Sequence, residues 1–248
     1  MIELTSQNVW NSYVACQARY FEKARQTEEK NPTLFITISR QAGAGGITVG
    51  EKLVAYLEKH DQEVFCPWTL FDRNLISAVL NEHNLPQEFA KFMPEDKVSE
   101  VQDMMEELFG LHPSEWAFVH KTTQTILHLA QMGNVILVGR GASVITRKFL
   151  STGFHVRLIG SLPMRIRHIQ DYYHLKQDDA INLIKKEDGG RKRYLNQNFD
   201  KDINDPLLYD LIINTDFISY DDAAQIIGDH VLRLKKEKNE SVEHVGRK

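Results

Sequence analysis

The sequence predicts an α/β fold in which a parallel five-stranded sheet is covered by helices. Strand-like runs alternate with stretches of helical periodicity along the chain, which is typical of parallel sheets with right-handed crossovers. One run, Val135–Val138, is apolar throughout, as expected for a strand buried on both faces. The chain has 248 residues, 42% of them hydrophobic, so it can bury the core of one large domain or of a domain with a smaller insertion.

An N-terminal helical extension is predicted over residues 1–31, before Pro32. Its apolar residues recur at intervals of three and four residues: Val9, Tyr13, Cys16, Tyr20 and Phe21. We expect this helix to pack against the body of the protein or against a second subunit, which would make a homodimer.

The first strand and helix of the sheet are expected in residues 35–57, FITISRQAGAGGITVGEKLVAYL. A β-branched run leads into three glycines, and apolar residues then return at helical spacing. Such a turn can direct several main-chain N–H groups at one anion, and the helix dipole adds to the attraction. The residues expected to hold a donor phosphate are Gly43, Ala44, Gly45, Gly46, Ile47 and Thr48. The hydroxyl of Thr48 can cap the helix or coordinate magnesium.

This turn departs from the usual nucleotide-binding motif GxxxxGK[ST]. With the glycine pair aligned, Arg40 takes the place of the first glycine, Gly46 that of the lysine, and Ile47 precedes Thr48. Either the turn binds phosphate without the lysine or it is a close-packed turn between strand and helix. Under the first alternative, either Arg40 at the loop entrance or a residue of a lid would supply the missing charge.

The next elements place two charged residues at the start of a helix. A second strand is expected at residues 63–66, closed by Pro67, and a helix follows from Phe71. Asp72 and Arg73 lie in its opening turn, where Asp72 can cap the helix or both can hold an anionic acceptor. The pattern of residues 84–112 is typical of either a helical insertion over the substrate or an ordinary surface helix. A longer helix is expected to begin after Ser114.

The third strand, Val135–Val138, ends in a turn that carries an arginine between two glycines. Ligands of open α/β sheets bind just beyond the carboxyl ends of the strands, so Arg140 is a candidate binding residue. The fourth strand at residues 154–159 precedes a helix with Pro163, Arg165 and Arg167 near its start.

A lid is expected at about residues 176–200. Here Gly189 and Gly190 interrupt a helical pattern, which indicates a hinge or a mobile loop. Five cations surround the pair: Lys185, Lys186, Arg191, Lys192 and Arg193. They form either a solvated face or a flap that closes on phosphates. A fifth strand at residues 211–213, a helix that continues to residue 232 and a frayed charged tail over 235–248 complete the chain.

Composition and charge bear on whether the protein binds nucleic acid, a membrane or a metal. A net charge of −4 and a pI near 6.2 argue against a nucleic-acid-binding surface. The N-terminal sequence has no signal-peptide pattern and no run is long enough for a membrane span, so a cytoplasmic location is expected. Cys16 and Cys66 have no metal-ligand spacing, which predicts two reduced thiols and no zinc.

Taken together, five stretches resemble the cytidylate kinase-like proteins among the P-loop nucleoside monophosphate kinases. They are ITISRQAGAGG, FDRNLI, VILVGRGAS, the run from Lys185 through Tyr194, and YDLIINT, in the family's order. The resemblance covers roughly residues 34–232, within an expected domain of residues 32–234. It implies a P-loop NTPase sheet in the order 2-3-1-4-5 and transfer of the γ-phosphoryl group of ATP to CMP or dCMP with Mg²⁺.

The resemblance also implies roles for individual residues. The acceptor-binding arginine of the family's GRD turn falls on Arg140, whereas Gly141 replaces the aspartate. Lid arginines fall on Arg191 and more loosely on Lys186 and Arg193, and donor-binding arginines on Arg165 and Arg167. In this interpretation Arg40, Lys186, Arg191 and Arg193 are catalytic, Asp72, Arg73 and Arg140 hold the acceptor, and Thr48 helps to place Mg²⁺.

Two other functions stay open. A nucleotide- or anion-binding regulatory module that has lost catalysis would bind the same ligands without turnover. A purely structural α/β protein would bind none.

Overall fold

The computed structural model describes residues 6–27, 33–61, 65–72, 75, 79, 82–83 and 115–245. The expected insertion at 84–112, Ser114 and Arg73 lie outside the described residues.

The described residues form one parallel sheet flanked by helices. The strands are β1 Phe35–Arg40, β2 Thr69–Phe71, β3 Val135–Val138, β4 Gly153–Ile159 and β5 Leu211–Asn214. The helices are α1 Ser6–Thr27, α2 Gly46–His60, α3 Glu115–Met132, α4 Ala142–Phe149, α5 Leu162–Tyr173, α6 Gln177–Phe199 and α7 Tyr220–Val245, with a short 3-10 helix at Pro206–Leu208. The strand order is β2-β3-β1-β4-β5, and every pairing is parallel, which confirms the predicted fold class.

Alternate residues of the strands supply two cores. Ile36 and Ile38 of β1 face one side of the sheet, where they meet Leu53 of α2 and Ile227 of α7. Phe35 faces the other side, in a second core that contains residues of α1 and α3. Because side chains alternate along a strand, one apolar run feeds both cores, as a sheet covered on both faces requires.

Helix α1 packs against the body of the protein, which is one of its two expected roles. The Tyr13 hydroxyl donates to the Gly133 carbonyl at 2.6 Å, and its ring meets Phe71 edge-on at 5.5 Å. The side chain of Tyr13 is buried, with 3% of its surface exposed.

The second strand begins at Thr69, three residues after the end of the predicted run at 63–66. The Thr69 N–H donates to the Asn134 carbonyl, and Phe71 pairs with Leu137, so pairing with β3 begins only after Trp68. Trp68 donates its indole N–H to Asp61, which ties Trp68 to the residue that follows α2. Residues 65 and 66 are not part of the strand, although the prediction placed them in it, because so short a run does not identify its pairing partner. Residues 63 and 64 lie outside the described part of the chain.

The prediction of two free thiols was also wrong. Cys16 of α1 and Cys66 form a disulfide, with their Cα atoms 5.8 Å apart and a sequence separation of 50 residues. The docking of α1 beside the start of β2 brings the pair together, and sequence spacing carries no sign of that contact.

Two helices are more continuous than expected. Helix α6 runs unbroken through Gly189 and Gly190, because Ala180, Ile184 and Leu195 anchor one of its faces on the protein. Helix α7 extends to Val245, so the segment from residue 235 continues a helix instead of fraying there. Among the described residues, none of the helices has the length and apolar character that crossing a bilayer requires.

Candidate functional site

The strand order brings three of the predicted site residues to one edge of the sheet. Ile38 pairs with Val138 and Phe71 pairs with Leu137, so Arg40, Arg140 and Asp72 all follow at the carboxyl ends of neighbouring strands. A cavity of about 240 Å³ opens there. It is lined by Arg40, Gln41, Ala42, Gly43, Gly45, Gly46, Ile47, Thr48, Asp72, Val138, Arg140, His168, Ile169, Tyr172, Tyr173, Glu187 and Arg191.

The glycine loop has the conformation that an anion-binding turn needs. Gly43 and Gly45 have φ values of 81° and 80°, which side chains disfavour. A Cβ at Gly45 would lie 2.4 Å from Tyr220, so the ring closes one side of the loop. Gly46, Ile47 and Thr48 begin α2, and the first helical N–H groups have no acceptor within their own helix. These residues line the cavity, where their amides and the helix dipole favour an anion.

Arg40 occupies the space that a lysine at position 46 would need. A Cβ at Gly46 would lie 2.8 Å from Arg40 Cγ and 3.2 Å from its Cβ and Cδ. The Arg40 guanidinium lies 3.9 Å from the Asp72 carboxylate, and both side chains are largely buried. The two departures from the usual motif are therefore sterically linked, since the arginine stem crosses the loop only because residue 46 is glycine.

Arg140 lies in a strained turn. Its φ is 56°, between Gly139 at 83° and Gly141 at 67°, a conformation that costs a side-chain-bearing residue about 1–2 kcal/mol. The Gly139 N–H donates to the Ile38 carbonyl, so the turn is tied to the end of β1. Strain of this kind concentrates at binding sites, where the surrounding structure holds a side chain in place.

Behind the loop, Arg165 and Asp188 hold its main chain. Arg165 Nη1 donates to the Ala42 carbonyl at 3.0 Å and to Asp188 Oδ2 at 2.7 Å. Asp188 Oδ1 accepts the Ala42 N–H at 2.7 Å. Arg165, with 9% of its surface exposed, thus supports the loop from behind, and its predicted contact with the donor stays a prediction. The sequence analysis missed Asp188 because it lies within a basic run, where an acidic residue is most simply interpreted as a surface ion-pair partner.

The cations of α6 separate into one buried residue and four exposed ones. Arg191 has 9% of its surface exposed and lines the cavity, with Nη2 2.5 Å from Glu187 Oε2. The exposed four are Lys185, Lys186, Lys192 and Arg193, and Arg167 of α5 is exposed as well. The cavity therefore gathers Arg40, Asp72, Arg140 and Arg191 around the loop, and it does not include Lys186, Arg193 or Arg167. Their catalytic and binding roles stay predictions.

Sequence reasoning missed an aromatic wall on α5. His168, Tyr172 and Tyr173 line the cavity beside the loop, and His168 also meets the Tyr220 ring edge-on at 5.2 Å. Burial lowers the pKa of His168, while the Gly43 backbone and Asp171 act in the opposite direction. The residues recur at helical spacing, which reads equally well as core packing, so the sequence held no separate signal.

A buried arginine in β4 was missed as well. Arg157 has 4% of its surface exposed, and its guanidinium donates to Ser39 Oγ at 2.9 Å and to Asn204 Oδ1 at 3.1 Å. It braces the β1 residue that precedes Arg40. A single arginine inside the apolar run FHVRLI was the available signal, because a charge in a buried strand needs partners.

The oxygen groups of the cavity fit magnesium. Thr48 and Asp72 line it together, and Mg²⁺ bound with a nucleotide needs only one or two protein ligands because phosphates and waters supply the others. No group of three or more His, Cys, Asp or Glu residues with metal-binding geometry occurs within the described part of the chain.

Comparison with known proteins gives a family and partial relatives. The family model described as the cytidylate kinase-like family matches residues 35–217. A cytidylate kinase from Pyrobaculum islandicum is 31% identical over 103 residues, which cover 41% of this chain and 54% of that relative. A cytidylate kinase from Thermoplasma volcanium is 28% identical over 95 residues, covering 38% and 50%. Each match thus spans about half of the relative's length.

Among solved structures, an uncharacterized protein from Eubacterium ventriosum is similar in fold. It has a TM-score of 0.57 at 18% identity, over 80% of this chain and 98% of that one. At this identity the similarity concerns the fold alone.

Proposed function

The chain belongs to the cytidylate kinase-like family, and from that premise we propose that it transfers the γ-phosphoryl group of ATP to CMP, dCMP or a related nucleoside monophosphate. The observation that carries this proposal is the glycine loop at residues 43–48, which lines the cavity at the start of α2 while Arg40 fills the place of the usual lysine. Phosphoryl transfer needs aligned substrates and positive charge around the moving group, and little covalent chemistry from the protein.

On the donor side, the main-chain N–H groups of residues 45–48 would hold the β-phosphate of ATP. Arg40 and Arg191 line the same cavity and would stabilise charge as it develops during transfer. Mg²⁺, held through Thr48 and Asp72, would supply further neutralisation of the phosphates. The lid residues Lys186 and Arg193 would reach the site only by rearrangement of α6.

On the acceptor side, Arg140 projects from the turn after β3 into the cavity and would bind the monophosphate. Arg73 follows Asp72 in sequence and is proposed to help in this. The attacking oxygen belongs to an anionic phosphate, so no general base is needed. Tyr172 and Tyr173 give the donor base aromatic faces to stack on, with Arg165 and Arg167 on the same helix.

A coupled ADP-release assay tests the proposal, with ATP and Mg²⁺ against CMP, dCMP, UMP, AMP and GMP. We expect ADP formation that depends on a pyrimidine monophosphate. The absence of ADP formation with every monophosphate in the panel would contradict the proposed kinase activity.

A second function, a regulatory module that binds nucleotide without turnover, is favoured by two observations. Gly46 removes the usual lysine, and Glu187 neutralises the buried Arg191. Such a module would still gain about 2.7 kcal/mol of stability at a nucleotide concentration one hundred times the dissociation constant. Thermal stabilisation by ATP without ADP release would select it.

A further inference from the structure

We propose that Glu187 is an internal ligand of the donor-phosphate site, whose carboxylate holds Arg191 until the polyphosphate of a nucleotide takes its place. The inference rests on the proposed function, because it assumes that the cavity beside the glycine loop receives a polyphosphate. It assigns to Glu187 a role in setting nucleotide affinity.

The geometry places an anion of the chain where an anionic ligand is expected. Glu187 and Arg191 are one helical turn apart on α6, and both line the cavity with the amides of residues 45–48. Arg191 Nη2 lies 2.5 Å from Glu187 Oε2, and the arginine side chain is only 10% exposed. A guanidinium with so little exposed surface needs an anionic or polar partner, and Glu187 supplies a shorter carboxylate contact than Asp188, which lies 3.5 Å from Nη1.

A polyphosphate would be the stronger partner for Arg191. It carries more negative charge than one carboxylate, and its oxygens accept the paired N–H groups of a guanidinium. The Glu187 side chain is 34% exposed, so it can turn into solvent without leaving a buried charge behind. Arg191 would then transfer from one anion to another with its own charge compensated throughout.

The neighbouring Asp188 is held differently, which makes it the matched control. Its carboxylate accepts the Ala42 N–H and the Arg165 guanidinium, both at 2.7 Å. Asp188 Oδ1 also lies 3.5 Å from Arg191 Nη1, a longer contact than the other two. Removing the charge of Asp188 would therefore mainly release the loop from α6. Two adjacent carboxylates on one helix are therefore expected to have opposite effects on nucleotide binding.

The test is calorimetric titration of ATP and of inorganic tripolyphosphate into the wild type, Glu187→Gln and Asp188→Asn. Glutamine keeps the shape of Glu187 and removes its charge. We expect Glu187→Gln to bind both probes about three- to fivefold more tightly, the effect of one partly exposed ion pair. Asp188→Asn should bind both more weakly. Thermal denaturation of each protein confirms that it is folded.

The outcomes separate this inference from the proposed function. Wild-type binding of ATP with equal or weaker binding by Glu187→Gln would overturn the inference alone, because Glu187 would then merely orient Arg191. Binding by Glu187→Gln in the absence of wild-type binding would support it. Failure of both proteins to bind either probe would overturn the inference and the proposed function together.

Discussion

At the scale of single residues, the candidate site depends on close contacts between side chains and glycines as much as on charge. Arg40 crosses the loop against a glycine, and the Tyr220 ring closes over Gly45. Substitution of one partner in such a pair changes what the other can do, so the effects of the two substitutions will not add. Arg40 and Gly46 therefore act together, because the glycine leaves the space in which the arginine side chain reaches the loop.

A buried histidine should make stability depend on pH. His155 is 2% exposed and contacts Thr37 Oγ1 through Nδ1 at 2.8 Å. Burial, with a smaller effect of Arg147, lowers its pKa from 6.5 to about 4, against the opposing charge of Asp210. Since the unfolded chain binds the proton more readily, this stabilisation is complete above about pH 6.5 and is lost as the pH falls towards 4.

We therefore expect the free energy of unfolding to fall by up to about 3 kcal/mol between pH 7 and pH 4 from this group. Urea denaturation at a series of pH values measures it. The variant His155→Gln should have a flatter profile above pH 4.5. Burial alone would raise the pKa of Asp210, but hydrogen bonds from Arg147 and the His155 amide lower it overall, so its own loss of stability falls at lower pH. An unchanged slope in the variant would refute the assignment.

At the scale of elements, α6 contains the predicted lid residues and is tied to the phosphate loop. One of its faces is anchored through Ile184, Tyr194 and Leu195, and Asp188 on that side accepts the Ala42 N–H. The sequence suggested a break at the glycine pair, but the helix passes through it. Movement of this helix would therefore have to involve the whole element or its ends at Lys176 and Asp200, where the backbone leaves the helix.

If α6 works as one continuous helix, alanine should be accepted at Gly189. A Cβ there would approach Arg193 Nη1 at 3.4 Å, an ordinary contact. We expect Gly189→Ala to raise the free energy of unfolding by about 1 kcal/mol, since glycine is the poorer helix former, with turnover unchanged. Chemical denaturation and the ADP-release assay measure both effects.

Gly228→Ala in α7 is the matched control, because its Cβ would lie 2.4 Å from the Tyr56 ring and should destabilise the protein. Loss of turnover in Gly189→Ala at unchanged or raised stability would instead support a functional hinge at the glycine pair.

At the scale of the whole molecule, the disulfide joins α1 to the segment before β2. The bond closes a separation of 50 residues, for which chain entropy predicts about 4 kcal/mol of stabilisation as an upper figure. We expect reducing agent to lower the melting temperature of the wild type and to leave the Cys16→Ser/Cys66→Ser variant unchanged. Equal melting with and without reductant would show that the bond does not form in solution.

Sequence alone identified the parts of the site that local backbone geometry marks. The glycines of the loop and of the Arg140 turn indicated backbone that favours positive φ angles, the end of the third strand located Arg140, and the motif alignment located Arg40. Contacts between distant segments left no such record, which is why Asp188, 146 residues from its partner Ala42, was missed. The cysteine pairing was misjudged for the same reason.

The most direct test of the central claim is the rate of monophosphate-dependent ADP formation in an exchange of residues 40 and 46. Arg40→Ala should lower the rate by about a hundredfold or more at unchanged melting temperature. Gly46→Lys alone should destabilise the protein, because its Cβ would meet the Arg40 stem at 2.8 Å. The double variant Arg40→Ala/Gly46→Lys, in which that space is free, should recover part of the lost rate. Unchanged turnover in Arg40→Ala would contradict the account.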